Sequence, residues 1–448
     1  MTPNPQVKLS RRPGEATQAS VKVVHLCESD GGGGAALAAF RLHGALKSHR
    51  IDSSMLVGRK VSGDEKVASV VSPVKKHLLE RLDRLPCKLL RTTNLTHLSP
   101  GWIGTSACKR ANRLRPDLVH LHWLGKGFVQ IEQLPLIHAP LLWSLHDMWA
   151  FAGGEHYVGN CIRYRDGYHL TNRPEFEKGF DLNRWIWRRK RRGWSSIPHL
   201  TLLPVSAWLA DRVRESALFR DRPIEILYNA LDATVFQAGD RAQARRELGL
   251  PAAKPLILFG AVDGTKDARK GFDLLDAALR ALRSDGRELE LVVFGNGTAP
   301  HSPNASFRTH YLGQIYDQAR LSTVYRACDA MVVPSREESF GQTAMEALAC
   351  GTPVASFRVG GLPEIVDHEV SGYLAAPYDV DDLAAGILSL LQSVGTDRGT
   401  EMARAARGTI ERKFTLEIQA QRCRKIYEAA LEAARTSSFP HRGAALKH

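Results

Sequence analysis

No apolar run in the 448 residues approaches the roughly 18 that a helical membrane span needs, so no spanning helix is expected. The opening MTPNPQVKLSRRPGEATQAS has no apolar core, so no secretory leader is expected there. It is polar and Pro-containing, and residues 1–19 are expected to be a disordered lead-in. Cysteine is scarce and unpatterned: Cys27, Cys87, Cys108, Cys161, Cys328, Cys350 and Cys423 are odd in number and form no C-x-x-C. That excludes a disulfide framework or a zinc ribbon and fits a reducing, cytoplasmic setting. Acid is short relative to base, with 47 Asp and Glu against 61 Lys and Arg, a net charge of +14. Such an excess points to nucleic acid, anionic lipid or a phosphorylated substrate without choosing among them.

What is present is a chain too long for one core, so two domains are expected. Val21–Leu26 reads as a buried strand, Gly31–Gly34 as a glycine loop and Ala35–Lys47 as a helix, the opening of a doubly wound α/β domain. Further strands are expected at Pro116–Trp123, Ala139–His146, His199–Ser206 and Glu225–Tyr228. A helix and linker over 237–255, the helix at Arg241–Leu250 and the linker at Pro251–Pro255, lead to a second series: strand Leu256–Gly260, helix Phe272–Ser284, strand Leu289–Gly295 and helix Asp317–Cys328. Strands alternating with helices imply a parallel sheet covered on both faces. The expected layout is a first domain over 20–236, a second over 256–413, a final helix over 414–434, and a disordered tail over 435–448.

The most informative stretch is AMVVPSREESFGQTAMEALACGTPVASFRVGGLPEIV, residues 330–366. A strand, Ala330–Val333, is stopped by Pro334 and Ser335. A helix then begins near Phe340–Thr343 and is ended by Gly351-Thr352-Pro353. Free N–H groups and the positive end of that helix favour an anion, most naturally a phosphate. Glu338 and Glu346, with seven residues between them, offer carboxylates that accept hydrogen bonds from hydroxyls. A ligand with hydroxyls on both sides of a diphosphate is a nucleotide sugar.

The string E-S-F-G-Q-T-A-M-E-A-L-A-C-G-T-P-V followed by G-G-x-x-E closely resembles the donor-site signature of retaining GT-B glycosyltransferases of family 4. The resemblance implies two Rossmann-like domains with an interdomain cleft, and a final helix crossing back onto the first. It implies that Glu338 faces the donor sugar, that Glu346 binds the ribose, and that the backbone around Ser339, Phe340, Gly341, Gln342 and Thr343 holds phosphate and sugar oxygens. PDLVHLHW and LLWSLHDMWAF resemble the exopolysaccharide and colanic-acid-like members. That implies a catalytic place for His146, with Asp147 and Trp149 on the acceptor side. Gly33 and Gly34 correspond to the family's cleft glycines. Lys270, preceded by Arg269, corresponds to its diphosphate-neutralising lysine. The family arginine after the first strand of the second domain is Ala261 here, with Arg269 or Lys266 as substitutes. No metal and no cofactor are expected. The partners implied are a UDP- or GDP-sugar, a saccharide or lipid-linked acceptor and an anionic membrane face, but not nucleic acid.

Four other features invite competing readings. Lys75–Arg91 carries leucines at helical spacing, split by Pro86, and reads first as a core-facing helix pair and second as a membrane-surface helix. Trp185 and Trp187 beside the basic run Arg188–Arg192 suit a lipid headgroup boundary or a solvated helix end with buried indoles. His120 and His122 lie on one strand face, as packed histidines or metal ligands. Asp379, Asp381 and Asp382 read as helix-capping acids rather than a metal site. A non-catalytic GT-B scaffold binding polyanions and a GT-B nucleotide-sugar epimerase are the alternative functions. Base, sugar, acceptor and oligomeric state are not written in the sequence.

Overall fold

The computed structural model describes residues 20–92, 97–260, 267–284, 288–295 and 307–437. The lead-in, Ala261, Lys266 and the end of the tail lie outside the described residues.

The first domain holds six parallel strands: β1 Lys22–Ser29, β2 Asp52–Arg59, β3 Val67–Ser69, β4 Leu118–Leu121, β5 Leu141–Leu145 and β6 Leu200–Pro204. The second repeats the plan with β7 Leu256–Gly260, β8 Glu290–Phe294, β9 Thr309–Tyr311, β10 Ala330–Val333, β11 Val354–Phe357 and β12 Gly372–Ala375. The spatial orders are β3-β2-β1-β4-β5-β6 and β9-β8-β7-β10-β11-β12. Both sheets therefore reverse direction beside their first strand, and ligands bind outside the strand C-termini at such a switch point. The strands are short apolar runs because helices cover both faces; β4, β5, β7 and β10 are buried throughout.

Six helices matter below: α1 Gly34–Ser48, α2 Pro73–Asp83, α3 Leu182–Trp194, α4 Ala207–Glu215, α5 Gln342–Ala349 and α6 Leu416–Ser437. α6 returns to the first domain, where Ala420, Cys423 and Tyr427 join Val23, Leu46, Leu118 and Leu203 in one core cluster. Each large side chain buried there contributes about 1.5–3 kcal/mol, so the last helix is part of the first domain's core. No described helix is long and apolar enough to cross a membrane.

The structure departs from several sequence expectations. Glu225–Tyr228 is not a regular strand. It is held beside β6 by Glu225 N–H to Leu202 O and Leu227 N–H to Pro204 O, with one bridge at Ile224. Pro204 and Pro223 have no N–H to give, so the ladder cannot close there. The leucines at helical spacing in Lys75–Arg91 do not face the core: Leu78, Leu82, Leu85 and Leu89 point outward, while the buried residues of α2 are Lys76 and Asp83. Of the two readings of the tryptophan-basic run, the helix with buried indoles is the nearer. The run lies within α3, where Trp187 and Lys190 are buried and Arg189 pairs with Glu132 at 2.7 Å. Asp379 caps the helix Val380–Ser393, accepting from the Asp381 and Asp382 N–H groups.

Candidate active site

The second-domain half of the site sits at its switch point, between the segments that follow β7 and β10. Two glycines set its dimensions. Gly271 has φ +69°, and a Cβ there would lie 1.9 Å from Pro334 O. Gly360 has φ +57°, and its Cβ would lie 1.8 Å from Glu338 O. Only glycine tolerates both the left-handed backbone and the approach. The Arg269-Lys270-Gly271 turn can therefore rest on the loop 334–338, with Arg336 N–H donating to Arg269 O at 2.8 Å.

This contact brings the predicted cations and acid together. Lys270 Nζ donates to Glu338 Oε2 at 2.6 Å, and Arg269 Nη1 lies 3.8 Å from the same oxygen. Burial pushes the Glu338 carboxyl up, but Lys270 and Arg269 outweigh it and hold it below its ordinary value. Arg269 is fixed by Glu337 O at 3.1 Å and stacks 4.4 Å over the Tyr157 ring.

The first domain closes over this half. Gln342 Nε2 donates to Gly34 O at 2.6 Å, so the first turns of α1 and α5 face one another across the cleft. Neither helix has a side chain capping its N-terminus; Gly33 and Gly341 hold those positions. Two uncapped N-termini thus present orphan N–H donors and partial positive charge to one gap. Phe340, just before the N-cap, is buried, and Thr343 is half-buried on α5's opening turn. Ser339 Oγ meets Tyr157 OH at 2.9 Å, and Gly159 N–H donates to Glu337 Oε2 at 3.2 Å. Glu364, the acid of the G-G-x-x-E string, reaches across to accept from Ala207 N–H at 2.8 Å and Trp208 N–H at 3.1 Å, capping α4.

Glu346 lies one turn into α5 and is engaged on both oxygens. Arg41 of α1 donates to Oε1 at 2.8 Å, and Tyr325 OH to Oε2 at 2.9 Å. Both partners of the Arg41–Glu346 pair are 4% exposed. Arg41 also donates to Gln318 at 2.9 Å, while its Nε and Nη1 find no acceptor among the described residues. Arg41, Tyr157, Gln318 and Glu364 are site residues that the sequence reading missed. Only the G-G-x-x-E spacing marked one of them.

His146 directly follows β5 with neither ring nitrogen partnered among the described residues, and burial holds it neutral, its pKa lowered to about 4. Asp147 accepts from Trp149 N–H and Trp123 Nε1 at 2.9 Å and pairs with His156 at 2.6 Å, which holds it ionised against its burial. Trp149, expected on the acceptor side, is instead core. It is 4% exposed and donates to Ser99 O at 2.7 Å, because Lys190, Trp143 and Trp194 enclose it. His25, His120 and His122 are fully buried with ligand atoms within 4.8 Å of one another. Their rings stack at 4.4–5.2 Å and 20–29°. His25 Nδ1 lies 2.9 Å from His122 Nε2 in a ring-to-ring hydrogen bond, and His120 already bonds Tyr427 and Ser144. Burial holds all three rings neutral, their pKa values well below the ordinary 6.5.

Residues 240–408 match the family described as Glycosyl transferases group 1. A D-inositol 3-phosphate glycosyltransferase from Segniliparus rotundus is 35% identical over 218 residues, 46% of this chain and 47% of that protein. The chain thus spans about half the length of the curated relatives it matches. The fold is that of sucrose-phosphate synthase from Thermosynechococcus elongatus, with a TM-score of 0.67 and 20% identity over 92% of this chain and 100% of that one. Anabaena HepE, solved with UDP-glucose, superposes with a TM-score of 0.61 and 17% identity over 91% and 99%.

Proposed function

We propose that this chain, a GT-B protein whose residues 240–408 match Glycosyl transferases group 1, moves a sugar from a UDP- or GDP-sugar to a hydroxyl of a saccharide or lipid-linked acceptor, with retained anomeric configuration. Exopolysaccharide or other cell-surface polysaccharide synthesis at the inner membrane face is the setting. The observation that supports this reading is one gap bounded by Lys270, Arg269, Glu338 and the open N-termini of α1 and α5.

The chemical demand is to stabilise a departing diphosphate. Lys270, Arg269 and the orphan N–H groups sit where that negative charge develops. Glu338, kept ionised by the two cations, accepts from donor-sugar hydroxyls and balances the site before the donor arrives. Glu346 is the ribose partner. His146, neutral at physiological pH, offers a ring N–H to the sugar without adding charge. The departing phosphate oxygen takes the proton of the acceptor hydroxyl on the same face, so no separate acid and nucleophile pair is required.

The test is a thermal-shift panel of UDP, GDP and their sugars, followed by assay of nucleoside diphosphate release with saccharide, lipid-linked and inositol phosphate acceptors. A ligand selective for the native state raises Tm by mass action. No shift with any nucleotide, together with no nucleoside diphosphate release, would remove the proposal.

A further inference from the structure

The helix α2 is built inside out. An amphipathic surface helix ordinarily turns its apolar stripe to the core. Here the side packed on the domain is polar. Lys76 is buried against Glu28 at 3.0 Å and donates to Lys126 O at 2.8 Å. Asp83 is buried and accepts from the Trp102 and Gly127 N–H groups, each at 3.1 Å. These contacts hold the helix firmly with its apolar side outward. Val74, Leu78 and Leu82 follow at four-residue spacing and so share one face. Leu85 and Leu89 extend it through the short turn Leu85–Leu89, and Phe180 joins it through its N–H bond to Leu89 O at 3.0 Å. All six are between 38% and 83% exposed. Around them Lys75, Arg81, Arg84 and Lys88 are exposed, and Glu80 on the same helix is turned toward Lys76.

We propose that this face is the docking surface for an anionic lipid bilayer, lying in the headgroup plane with the leucines and Phe180 at the acyl boundary. Charge decides the occupant. A second copy meeting face to face would bring two rings of lysine and arginine together. An anionic leaflet neutralises that ring while the apolar side chains leave water. The face belongs to the first domain, the acceptor side of the proposed transferase. The inference rests on that reading only for its purpose, delivery of a lipid-linked acceptor, and not for its physical basis.

The experiment is co-sedimentation of the full chain with vesicles of phosphatidylcholine alone and of phosphatidylcholine with one part in three of phosphatidylglycerol. Wild type is expected to pellet with the anionic vesicles and to be released by high salt. L78Q/L82Q is expected to bind about tenfold less or weaker, from loss of two buried leucines. K75Q/K88Q is expected to lose about fivefold per charge. All substituted side chains are exposed, so an unchanged Tm verifies folding. Equal pelleting of L78Q/L82Q and wild type, or no preference for anionic vesicles, overturns the proposal. So does vesicle-free self-association that L78Q/L82Q abolishes, which would make the occupant a second copy. Transfer to a soluble acceptor is unaffected by these variants. Vesicle binding without nucleoside diphosphate release would therefore defeat the enzymatic reading and leave this one standing.

Discussion

The pair Arg41–Glu346 gives the sharpest test of how the closed cleft is held. Its atoms are 2.8 Å apart, both side chains are 4% exposed, and the guanidinium sits 5.3 Å over the Phe236 ring. Arg41→Met leaves an ionised carboxylate in a dry site with only Tyr325 OH and is expected to cost about 3–5 kcal/mol of stability. Glu346→Gln in the same chain removes that stranded charge, so the double variant should be more stable than Arg41→Met alone. Guanidinium chloride unfolding of the four species of this cycle is the assay. Strict additivity would refute the claim that the two side chains act on each other. Ligand binding supplies a second readout. If Glu346 receives the ribose, Arg41 competes for the same oxygen. Its charge-assisted bond is worth about 1.5–3 kcal/mol, and each 1.4 kcal/mol no longer displaced is about tenfold in Kd. Arg41→Met should bind UDP or GDP about tenfold tighter by calorimetry, and weaker binding would refute Glu346 as the ribose partner.

Lys270→Ala and Glu338→Ala should each lower kcat about 100-fold or more, the scale for losing one charge-stabilising group; near-normal turnover in both rejects the site. The buried histidines make the fold acid-sensitive. Burial lowers His43 and His146 to about 4 and His120 to about 3, all below the ordinary 6.5. The unfolded chain therefore binds more protons below pH 6.5. Their contribution is whole above that pH and is lost as pH falls through the folded values, by about 1.4 kcal/mol per group per pH unit. Tm should hold from pH 8 to 7 and drop steeply from 6 to 4; a flat profile counts against the neutral stack. Lys190 donates to the carbonyls of Trp149, Ala152 and Gly153, the last at 2.6 Å, from a fully buried position. Lys190→Met keeps the volume but leaves those acceptors unpaired, which should cost about 1–3 kcal/mol in denaturant unfolding and speed amide exchange across 148–154.

Much of this was legible from residue order. Short apolar runs ended by Gly and Pro located β1, β4, β5, β6, β7, β8 and β10, because a strand buried on both faces has no other composition open to it, but not β2 or the short strands β3, β9 and β12. The 330–366 string located the strand–turn–helix unit of the candidate site, because a helix N-terminus, its glycines and its acids are neighbours in sequence. Periodicity also revealed that Lys75–Arg91 has an apolar stripe. It did not reveal which way the stripe faces. That was decided by Lys76 finding Glu28 and Asp83 finding the Trp102 and Gly127 N–H groups, partners supplied by other strands and loops. Trp149 reads from its motif as an acceptor-side residue, yet Lys190 is drawn inside by three carbonyls and Trp149 and Trp194 close around it. Arg41 is one basic residue in an ordinary helix, and its carboxylate lies 305 positions away. Local sequence sets periodicity, turns and caps because those depend on neighbours within a few residues. The orientation of a helix and the partner of a buried charge depend on desolvation and approach between distant segments, which exist only once both domains have folded and met.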